Sequence, residues 1–390
     1  MAKKITRAFQ RAAAQLVLSN LRLTIEKLIY GGDGLARTDQ GVVFVPKTAV
    51  GDVVEAEIIE SKKDYATARV TKILEASPDR QEPYCPNYAT EGCCHWQHIQ
   101  YAKQVEYKES IIRESLKREG HLDWEEDIKR LTAADRNYRF RATFHVFNGR
   151  LGFVNGPIAS CASLVPELNA FIPTVDAGAA VEVHALSAPE VVASFVLNDG
   201  SIQRSKRATV HVDGLNYRVT ADTFFQANRF LLAPFIQEVL DQVGPAPKHV
   251  LELYSGAGFF SIPLAGIAKE VIAIESNRSA ARQARENATA NKTWQLRVVD
   301  GQVDATLRDS DLQPDVVVLD PPRAGCGVKT AENIAKLKPE RIVYVSCNPA
   351  TFAREAAVFA KQGYLLQRLT LVDQFPNTYH IEIVGLFAVR

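Results

Sequence analysis

A cysteine near the carboxyl end of the chain stands in a setting that suits a nucleophile. Cys347 ends the apolar run RIVYVSC, and residues 350–362 after it are predicted to form a helix. A reactive cysteine must be partly exposed and close to positive charge, so that its thiolate is populated. The start of the predicted helix and Arg323 are candidate sources of that charge. Many cysteines that end apolar strands only fill the core, and this motif alone leaves both interpretations open.

Two acidic residues are candidates to assist that cysteine. Asp320 ends the apolar strand PDVVVLD and is followed by two prolines, which stiffen the exit from the strand. His380 and Glu382 alternate with apolar residues near the C-terminus, so they share one face of a predicted strand. A carboxylate that faces the cysteine could act as a general base. The alternatives are an ordinary turn at Asp320 and a solvated strand face at Glu382.

A glycine-rich turn follows another predicted strand in VLELYSGAGFFS. Gly256 and Gly258 would let the backbone approach a ligand at the carboxyl end of that strand. Glu275 ends the next strand, 17 residues after Gly258, where it could accept hydrogen bonds from two ribose hydroxyls. A dinucleotide site would have a third glycine where Ser261 stands. The pattern therefore favours S-adenosylmethionine, which has a ribose and no pyrophosphate, over a dinucleotide, with a structural turn as the alternative.

The elements that must position these residues fall into four predicted segments. From residue 217 to 390, apolar strands alternate with helical stretches, which is typical of a doubly wound, mostly parallel sheet. Residues 21–78 contain short β-rich runs separated by glycine turns, which predict a small barrel of the OB type. Residues 79–216 are mixed and include a cysteine-rich loop. Residues 1–20 form a basic tail.

Composition limits the class of protein. The 390 residues include 46 basic and 45 acidic side chains, so any phosphate-binding surface must be a local patch. The near-zero net charge and the hydrophobic content exclude a wholly disordered chain. No apolar run is long enough for a membrane span. Six cysteines are too few for a disulfide scaffold. We therefore expect a protein of the reducing cytoplasm with no membrane partner. A monomer is also expected.

Four motifs in this order resemble those of the class I RNA (uracil-5-)-methyltransferases, which use S-adenosylmethionine. They are the Gly-x-Gly loop, Asp-Pro-Pro-Arg at Asp320, Ser-Cys-Asn-Pro around Cys347 and the terminal His-x-Glu. The segment TFFQAN, residues 223–228, matches the family's entry into its catalytic domain, and the N-terminal barrel resembles a TRAM domain. The resemblance implies an α/β fold: a Rossmann-like class I methyltransferase domain, an N-terminal TRAM barrel and a mixed α+β central domain.

The resemblance also implies roles for individual residues. Cys347 would add to C6 of a flipped-out uridine, and Glu382 would remove the C5 proton after methyl transfer. Phe259 stands where the family often has asparagine, and the acidic or amide residue expected after the fourth strand is displaced, which leaves Asp300 as its candidate. The positions implied to bind S-adenosylmethionine are Gln226, Tyr254, Gly256, Gly258, Glu275, Asp300 and Asp320.

Many family members hold a [4Fe-4S] cluster, and this chain has four cysteines available for one. The implied ligands are Cys85, Cys93, Cys94 and Cys161. Glu91 stands where the second ligand belongs, and the adjacent Cys93 and Cys94 would strain the geometry. A zinc site and a remnant without metal are the alternatives.

The substrate class follows from the same resemblance. A TRAM-like barrel favours a uridine in 23S ribosomal RNA, and a transfer RNA uridine of the T-loop is the alternative. Two other classes stay open: a methyltransferase for a protein or small molecule, and a non-catalytic RNA-binding module. The first would not need Cys347 or the barrel, and the second would be expected to lack an intact Cys347 or Glu382.

Overall fold

The computed structural model describes residues 20–91, 94–204, 206–308 and 312–389. These residues form two compact units. The first comprises the described residues up to Ile111 together with Asn377–Tyr379, and the second comprises Ile112–Pro376 and the residues from His380 onward. The predicted basic tail lies outside the described residues except for Asn20. The domain boundaries near residues 78 and 216 stay predictions.

The first unit begins with a six-stranded sheet in the order β1-β5-β6-β4-β3-β2, in which only the β4–β6 pair is parallel. Its strands are β1 (Asn20–Thr24), β2 (Lys27–Leu28), β3 (Gly34–Thr38), β4 (Gly41–Val45), β5 (Val53–Ser61) and β6 (Tyr65–Glu75). Alternate residues of these strands, among them Val54, Ala56 and Ile58, point into one apolar core. The short strands and glycine turns thus give the β-rich N-terminal structure that the sequence predicted.

A segment rich in cysteine and aromatic residues completes the first unit. It contains the short helix α1 (Tyr88–Glu91), and helix α2 (Tyr101–Glu119) runs from this unit into the second. Trp96 is fully buried and donates from Nε1 to the carbonyl of Gly32 at 2.9 Å. Gln104 donates to the side chain of Asn377 at 3.1 Å, which fixes Asn377–Tyr379 in this unit.

The second unit contains a five-stranded antiparallel sheet in the order β12-β11-β10-β8-β9. Its strands are β8 (Arg141–Phe147), β9 (Arg150–Gly152), β10 (Ala180–Ser187), β11 (Val191–Leu197) and β12 (Ile202–Arg204), with helix α3 (Pro166–Phe171) against it. A separate hairpin of β13 (Ala208–Val212) and β14 (Leu215–Val219) follows.

An eight-stranded sheet in the order β17-β16-β15-β18-β19-β21-β20-β7 forms the centre of the second unit. The five strands from β17 to β19 are parallel, β21 is antiparallel to both of its neighbours, and β7 adds to the edge beside β20. The strands are β7 (Lys129–Leu131), β15 (His249–Leu253), β16 (Glu270–Glu275), β17 (Leu296–Asp300), β18 (Val316–Leu319), β19 (Arg341–Ser346), β20 (Tyr364–Val372) and β21 (Glu382–Val389).

Helices between these strands cover the sheet. They are α4 (Leu232–Val243), α5 (Ser261–Ile267), α6 (Arg278–Ala290), α7 (Val303–Arg308), α8 (Val328–Lys336) and α9 (Pro349–Lys361). A strand such as β18 is buried on both faces, so its sequence is continuously apolar rather than alternating. Strand order reverses between β15 and β18, and such sheets bind ligands at this reversal, beyond the carboxyl ends of the strands. The predicted α/β fold is confirmed.

No helix within the described ranges is both long and apolar enough to cross a membrane.

Candidate active site

Cys347 and Glu382 occupy opposite positions on neighbouring strands. Ser346, the last residue of β19, pairs with Ile383 of the antiparallel strand β21. The next positions outward along this pairing are Cys347 and Glu382. Directly opposite residues of an antiparallel pair point to the same face, with Cβ atoms about 5 Å apart. The two side chains that the sequence proposed as nucleophile and base are therefore neighbours at the carboxyl end of β19.

Burial and charge keep the Cys347 thiol protonated in the protein without substrate. Burial raises the pKa of this half-exposed cysteine to about 12, and the nearby carboxyl groups of Glu382 and Asp320 act in the same direction. Arg323 opposes them, because its positive charge favours the thiolate. A thiolate at this position thus needs a proton acceptor close by.

Two carboxyl groups share this environment. Glu382 is only 7% exposed, and burial followed by the charge of Asp320 raises its pKa well above the ordinary range, with Arg323 opposing both. Burial raises the pKa of Asp320, which directly follows β18, to about 7. Burial thus favours the neutral form of Glu382, and Asp320 can give or take a proton near neutral pH. Cys347, Glu382, Asp320 and Arg323 form one interacting group.

Asn348 connects the cysteine to the loop that carries Arg323. Its side-chain oxygen accepts from the N–H of Ala350 at 3.0 Å and so caps helix α9, while Pro349 occupies the first helical position. Its side-chain nitrogen donates to the carbonyl of Arg323 at 3.0 Å. The Arg323 side chain in turn lies 3.3 Å from Nδ1 of His380. One asparagine thus fixes both the start of helix α9 and the backbone of Arg323.

Glu355 of helix α9 holds the other end of this loop. Its two oxygens accept from the backbone N–H groups of Cys326, at 3.1 Å, and Gly327, at 2.9 Å, and also from the hydroxyl of Tyr344. A side chain at Gly325 would meet a Glu355 oxygen at 2.2 Å. The sequence analysis missed this contribution of Glu355. The sequence signal for this role is the position of Glu355, which stands seven residues after Asn348 on the buried face of the helix.

The glycine turn and Glu275 are joined by hydrogen bonds. Glu275 is buried at the end of β16, and its carboxylate accepts from the N–H of Gly256 at 2.8 Å and from the N–H of Asn277 at 2.6 Å. Gly256 and Gly258 have φ angles of 57° and 91°, the left-handed region that favours glycine. One carboxylate oxygen therefore already organises the glycine turn and the other the backbone before helix α6, a role that no sequence motif indicated.

Three further candidates for binding S-adenosylmethionine are divided between this edge and the loop before α4. Asp300 ends β17 and pairs in parallel register with Glu275 of β16, so the two carboxylates meet at one edge. Tyr254 follows β15 with a φ of 64°, an unusual conformation for a residue with a side chain. Gln226 is buried in the loop that precedes α4.

Phe259, which departs from the family pattern, belongs to an aromatic core. Its ring packs against Phe260 at a centroid distance of 4.8 Å, against Phe225 at 5.4 Å, and also against Tyr217 and Phe235. The side chain is therefore used for packing.

Glu252 is a second acidic residue that the sequence analysis missed. It is buried in β15 and accepts a hydrogen bond from the hydroxyl of Ser261. Burial raises its pKa to about 8, and the charges of Asp320 and Glu275 act in the same direction. Its charge state therefore depends on the other acids at this sheet edge.

The predicted iron–sulfur site is not shown by the described residues. Cys85 and Cys94 are buried in the first unit and Cys161 is buried in the second, while Cys93 lies outside the described residues. Nowhere in the described ranges do three His, Cys, Asp or Glu side chains form a group that could hold a metal ion. The four-cysteine cluster is therefore not confirmed.

Comparison with known sequences agrees with the motifs at this sheet edge. A family model described as tRNA (uracil-5-)-methyltransferase matches residues 203–390, and a TRAM domain model matches residues 15–71. An Aquifex aeolicus protein named uncharacterized RNA methyltransferase is 33% identical, covering 95% of this chain and 99% of its own. A Shewanella protein named 23S rRNA (uracil(1939)-C(5))-methyltransferase RlmD is 30% identical, covering 95% and 96%.

A solved structure shows the same fold along most of the chain. It is the Pyrococcus abyssi tRNA (uracil-54, C5)-methyltransferase in complex with S-adenosyl-L-homocysteine, with a TM-score of 0.74 and 24% identity. The match covers 94% of this chain and 100% of that one. The fold is thus that of a class I methyltransferase with an N-terminal TRAM domain. The chain belongs to the RNA (uracil-5-)-methyltransferase family and is a methyltransferase enzyme.

Proposed function

We propose that this enzyme methylates C5 of a uridine in ribosomal RNA through a covalent bond between Cys347 and C6 of the base. The observation that carries this proposal is the position of Cys347 opposite Glu382, across the β19–β21 pairing, beside Asp320 and Arg323. A nucleophile, a carboxyl group on the neighbouring strand and a proton acceptor are the groups that this reaction requires.

The chemistry begins with the sulfur, because C5 of uracil is a poor nucleophile until C6 has been attacked. As the S–C6 bond forms, the thiol proton passes to Asp320, whose pKa of about 7 lets it accept one near neutral pH. The electrons of the C5–C6 double bond move into the ring and make C5 nucleophilic. Bound S-adenosylmethionine would supply an electrophilic methyl group to C5, and S-adenosylhomocysteine would leave with the electrons of the broken S–CH3 bond.

The reaction ends by elimination. Glu382 takes the proton from C5, the C5–C6 double bond re-forms, and Cys347 leaves as the thiolate. Because burial favours the protonated form of Glu382, this residue must pass its own proton to water before it can take the proton from C5. Arg323 opposes the raised pKa of both residues and so assists both ionisations.

For S-adenosylmethionine we propose a site at the glycine turn. The support is the position of Gly256 and Gly258 at the carboxyl end of β15, where such sheets bind ligands. Glu275 and Asp300, which meet at the neighbouring edge, are the proposed ribose-side groups. Their oxygens are hydrogen-bond acceptors. Tyr254, Gln226 and Asp320 complete the proposed set.

The ribosomal RNA target rests on two observations. A TRAM domain occupies the N-terminus, and the Shewanella relative is named for a uridine of 23S ribosomal RNA. A transfer RNA uridine is the second candidate, because the solved Pyrococcus abyssi enzyme is named for transfer RNA. We retain the monomeric state and the cytoplasmic location as predictions.

The test of the reaction uses RNA that contains 5-fluorouridine. Fluorine cannot leave C5 as a proton does, so incubation with S-adenosylmethionine should trap a covalent protein–RNA adduct on a denaturing gel. We expect the adduct with the unaltered enzyme and with Cys326→Ala, and none with Cys347→Ala. An adduct that survives Cys347→Ala would reject the proposed nucleophile.

The test of the substrate compares two RNAs. Transcripts of 23S ribosomal RNA and of transfer RNA are incubated separately, and 5-methyluridine is located by mass spectrometry of nuclease fragments. Methylation of the ribosomal transcript alone is expected. Methylation of transfer RNA alone would transfer the proposal to the second candidate.

The iron–sulfur cluster is a separate hypothesis with its own test. The enzyme is purified without oxygen, and iron, acid-labile sulfide and zinc are measured. Iron and sulfide in equal amounts that disappear in Cys161→Ser would support the cluster, whereas zinc would support the alternative metal. The absence of iron, sulfide and zinc would reject both the cluster and the zinc site.

A further inference from the structure

Arginine side chains lie over phenylalanine rings at three places around the loop that leads into helix α4. The guanidinium carbon of Arg141 lies 5.7 Å from the ring centre of Phe224, and that of Arg229 lies 4.9 Å from the ring centre of Phe230. Arg139 lies 5.9 Å from the ring centre of Phe375. We call the five residues Arg139, Arg141, Phe224, Arg229 and Phe230 the Arg–Phe surface.

A short backbone pairing holds these residues together. The N–H of Phe140 donates to the carbonyl of Ala227 at 3.1 Å, and the N–H of Arg229 donates to the carbonyl of Tyr138 at 2.9 Å. Arg139 and Arg141 are two residues apart along an extended segment, so their side chains leave the same face. The Arg–Phe surface is thus built on paired backbone and belongs wholly to the second unit.

The two rings of the surface are exposed to solvent. Phe224 is 65% exposed and Phe230 is 39% exposed, although both residues adjoin buried ones in the chain. Leaving large apolar rings in water forgoes the free energy of burial, so these rings do not serve the core. An arginine over one face of each ring supplies positive charge beside an open stacking surface.

Arg141 has an unused hydrogen-bond donor. Its Nε is buried and makes no hydrogen bond to any described residue. Burial, followed by the charge of Arg139, lowers the pKa of Arg141 to about 10, so it is still charged at neutral pH. Asp222 is the acidic group that acts on it, and that carboxylate already accepts from Arg204 and Ser194. A charged donor with no protein acceptor points to an anionic ligand.

Contacts connect the surface to the candidate active site. The ring of Phe375, which lies under Arg139, packs edge-on against His380 at a centroid distance of 5.7 Å. Nδ1 of His380 lies 3.3 Å from Arg323, whose charge acts on Cys347. Side-chain contacts thus run from Arg139 of the surface to Arg323, whose charge acts on the proposed nucleophile.

We propose that the Arg–Phe surface binds unpaired nucleotides next to the target uridine. Their bases stack on Phe224 and Phe230, and their phosphates are bound by the three arginines. Stacking on aromatic side chains combined with arginine contacts is how proteins bind single-stranded RNA. A uridine that is turned out of its stack leaves its neighbours without partners, and this surface replaces those partners. The proposal rests on the proposed function.

The test measures binding apart from catalysis. A fluorescent single-stranded RNA centred on one uridine is titrated with the enzyme, and anisotropy gives the dissociation constant. Phe230→Ala and Phe224→Ala should each weaken binding about tenfold, because each removes the stacking of one base. Arg229→Gln should reduce the slope of log affinity against log salt by about 0.7, because one phosphate contact is lost.

The matched control is Trp294→Ala. Trp294 is 75% exposed and belongs to the second unit but not to the Arg–Phe surface, so its loss should leave RNA binding unchanged. Because Phe224 and Phe230 are exposed, their variants should unfold at the temperature of the unaltered enzyme. Equal binding by Phe230→Ala, Phe224→Ala and the unaltered enzyme would overturn the proposal. So would tight binding of an acidic peptide to this surface in place of RNA.

The outcomes separate this inference from the proposed function. An enzyme that binds RNA through the surface but forms no 5-methyluridine would contradict the function and leave the surface intact. An enzyme whose KM and kcat for RNA methylation are unchanged in Phe224→Ala, Arg229→Gln and Phe230→Ala would contradict the surface and leave the function intact.

Discussion

Cys326 and Cys347 both belong to the second unit. Cys326 lies in the loop that contacts Glu355 of helix α9, and Cys347 lies just before the same helix, yet their surroundings differ. Cys326 is 9% exposed, and its thiol donates to Glu355 at 3.3 Å. Burial and the charge of Glu355 raise the pKa of Cys326 far above its ordinary value. Cys347 is half-exposed, and the charge of Arg323 partly offsets its raised pKa. Access and a nearby cation, rather than residue type, distinguish the proposed nucleophile.

The largest difference between the two cysteines should appear in turnover. Replacing Cys347 with alanine should lower kcat for RNA methylation at least about 10⁴-fold, because no other group can attack C6. Cys326→Ala should retain activity within about threefold, since its thiol only donates to Glu355. Single-turnover assays with radioactive methyl donor measure both. A strong loss of turnover in Cys326→Ala but not in Cys347→Ala would instead identify Cys326 as the nucleophile.

The carboxyl group opposite Cys347 should affect a different step. Glu382→Gln should lower kcat by about 10²- to 10⁴-fold, because the C5 proton then has no acceptor. Methylated RNA should remain bound to Cys347, so a covalent adduct should accumulate with ordinary uridine RNA. Denaturing gels detect that adduct. Free turnover by Glu382→Gln would remove this residue from the mechanism.

The carboxylate beside Cys326 should matter for stability. Glu355→Gln replaces by an NH2 donor one of the two oxygens that accept from the N–H groups of Cys326 and Gly327 and from the Tyr344 hydroxyl, and it should lower the free energy of unfolding by about 3 kcal/mol. Urea denaturation measures this change. The exposed Glu340→Gln is the matched control and should change stability little. Equal stability of the two variants would show that the loop is held by other contacts.

The smallest effect concerns the cation. Alkylation of Cys347 by iodoacetamide should become faster as pH rises toward about 12, because only the thiolate reacts. Arg323→Gln raises the pKa further and should slow the reaction about threefold at fixed pH. Arg297→Gln, an exposed arginine of β17, should leave the rate unchanged. Cys326 should stay unlabelled in the folded enzyme. Alkylation of Cys326 as fast as that of Cys347 would contradict the proposed difference between the two cysteines.

The sequence predicted best those features that depend on local pattern. Apolar runs alternating with helical stretches identified the parallel sheet, because a strand covered on both faces needs apolar residues throughout. Strand ends placed Asp320, Cys347 and Glu275 at one edge.

What the sequence did not reveal depends on contacts between distant residues. Glu355 holds the Cys326–Gly327 turn across 28 residues of chain, and Glu275 is occupied by the backbone of the glycine turn. Neither partner is visible in a motif. The packing of Phe259 among four aromatic rings likewise requires the folded arrangement, as do the exposed rings of Phe224 and Phe230.

Strand β7 has a practical consequence for dissecting the enzyme. It is contributed by residues more than a hundred positions before the rest of the catalytic sheet, yet it covers the outer edge of β20. Lys129 of β7 also neutralises the buried Glu238 of helix α4. A fragment that starts near residue 217 would expose an unpaired strand edge and leave the buried Glu238 with the more distant Arg368, at 4.0 Å, as its ion-pair partner. Such a fragment should aggregate on expression, and truncations intended to isolate catalysis should begin before Lys129.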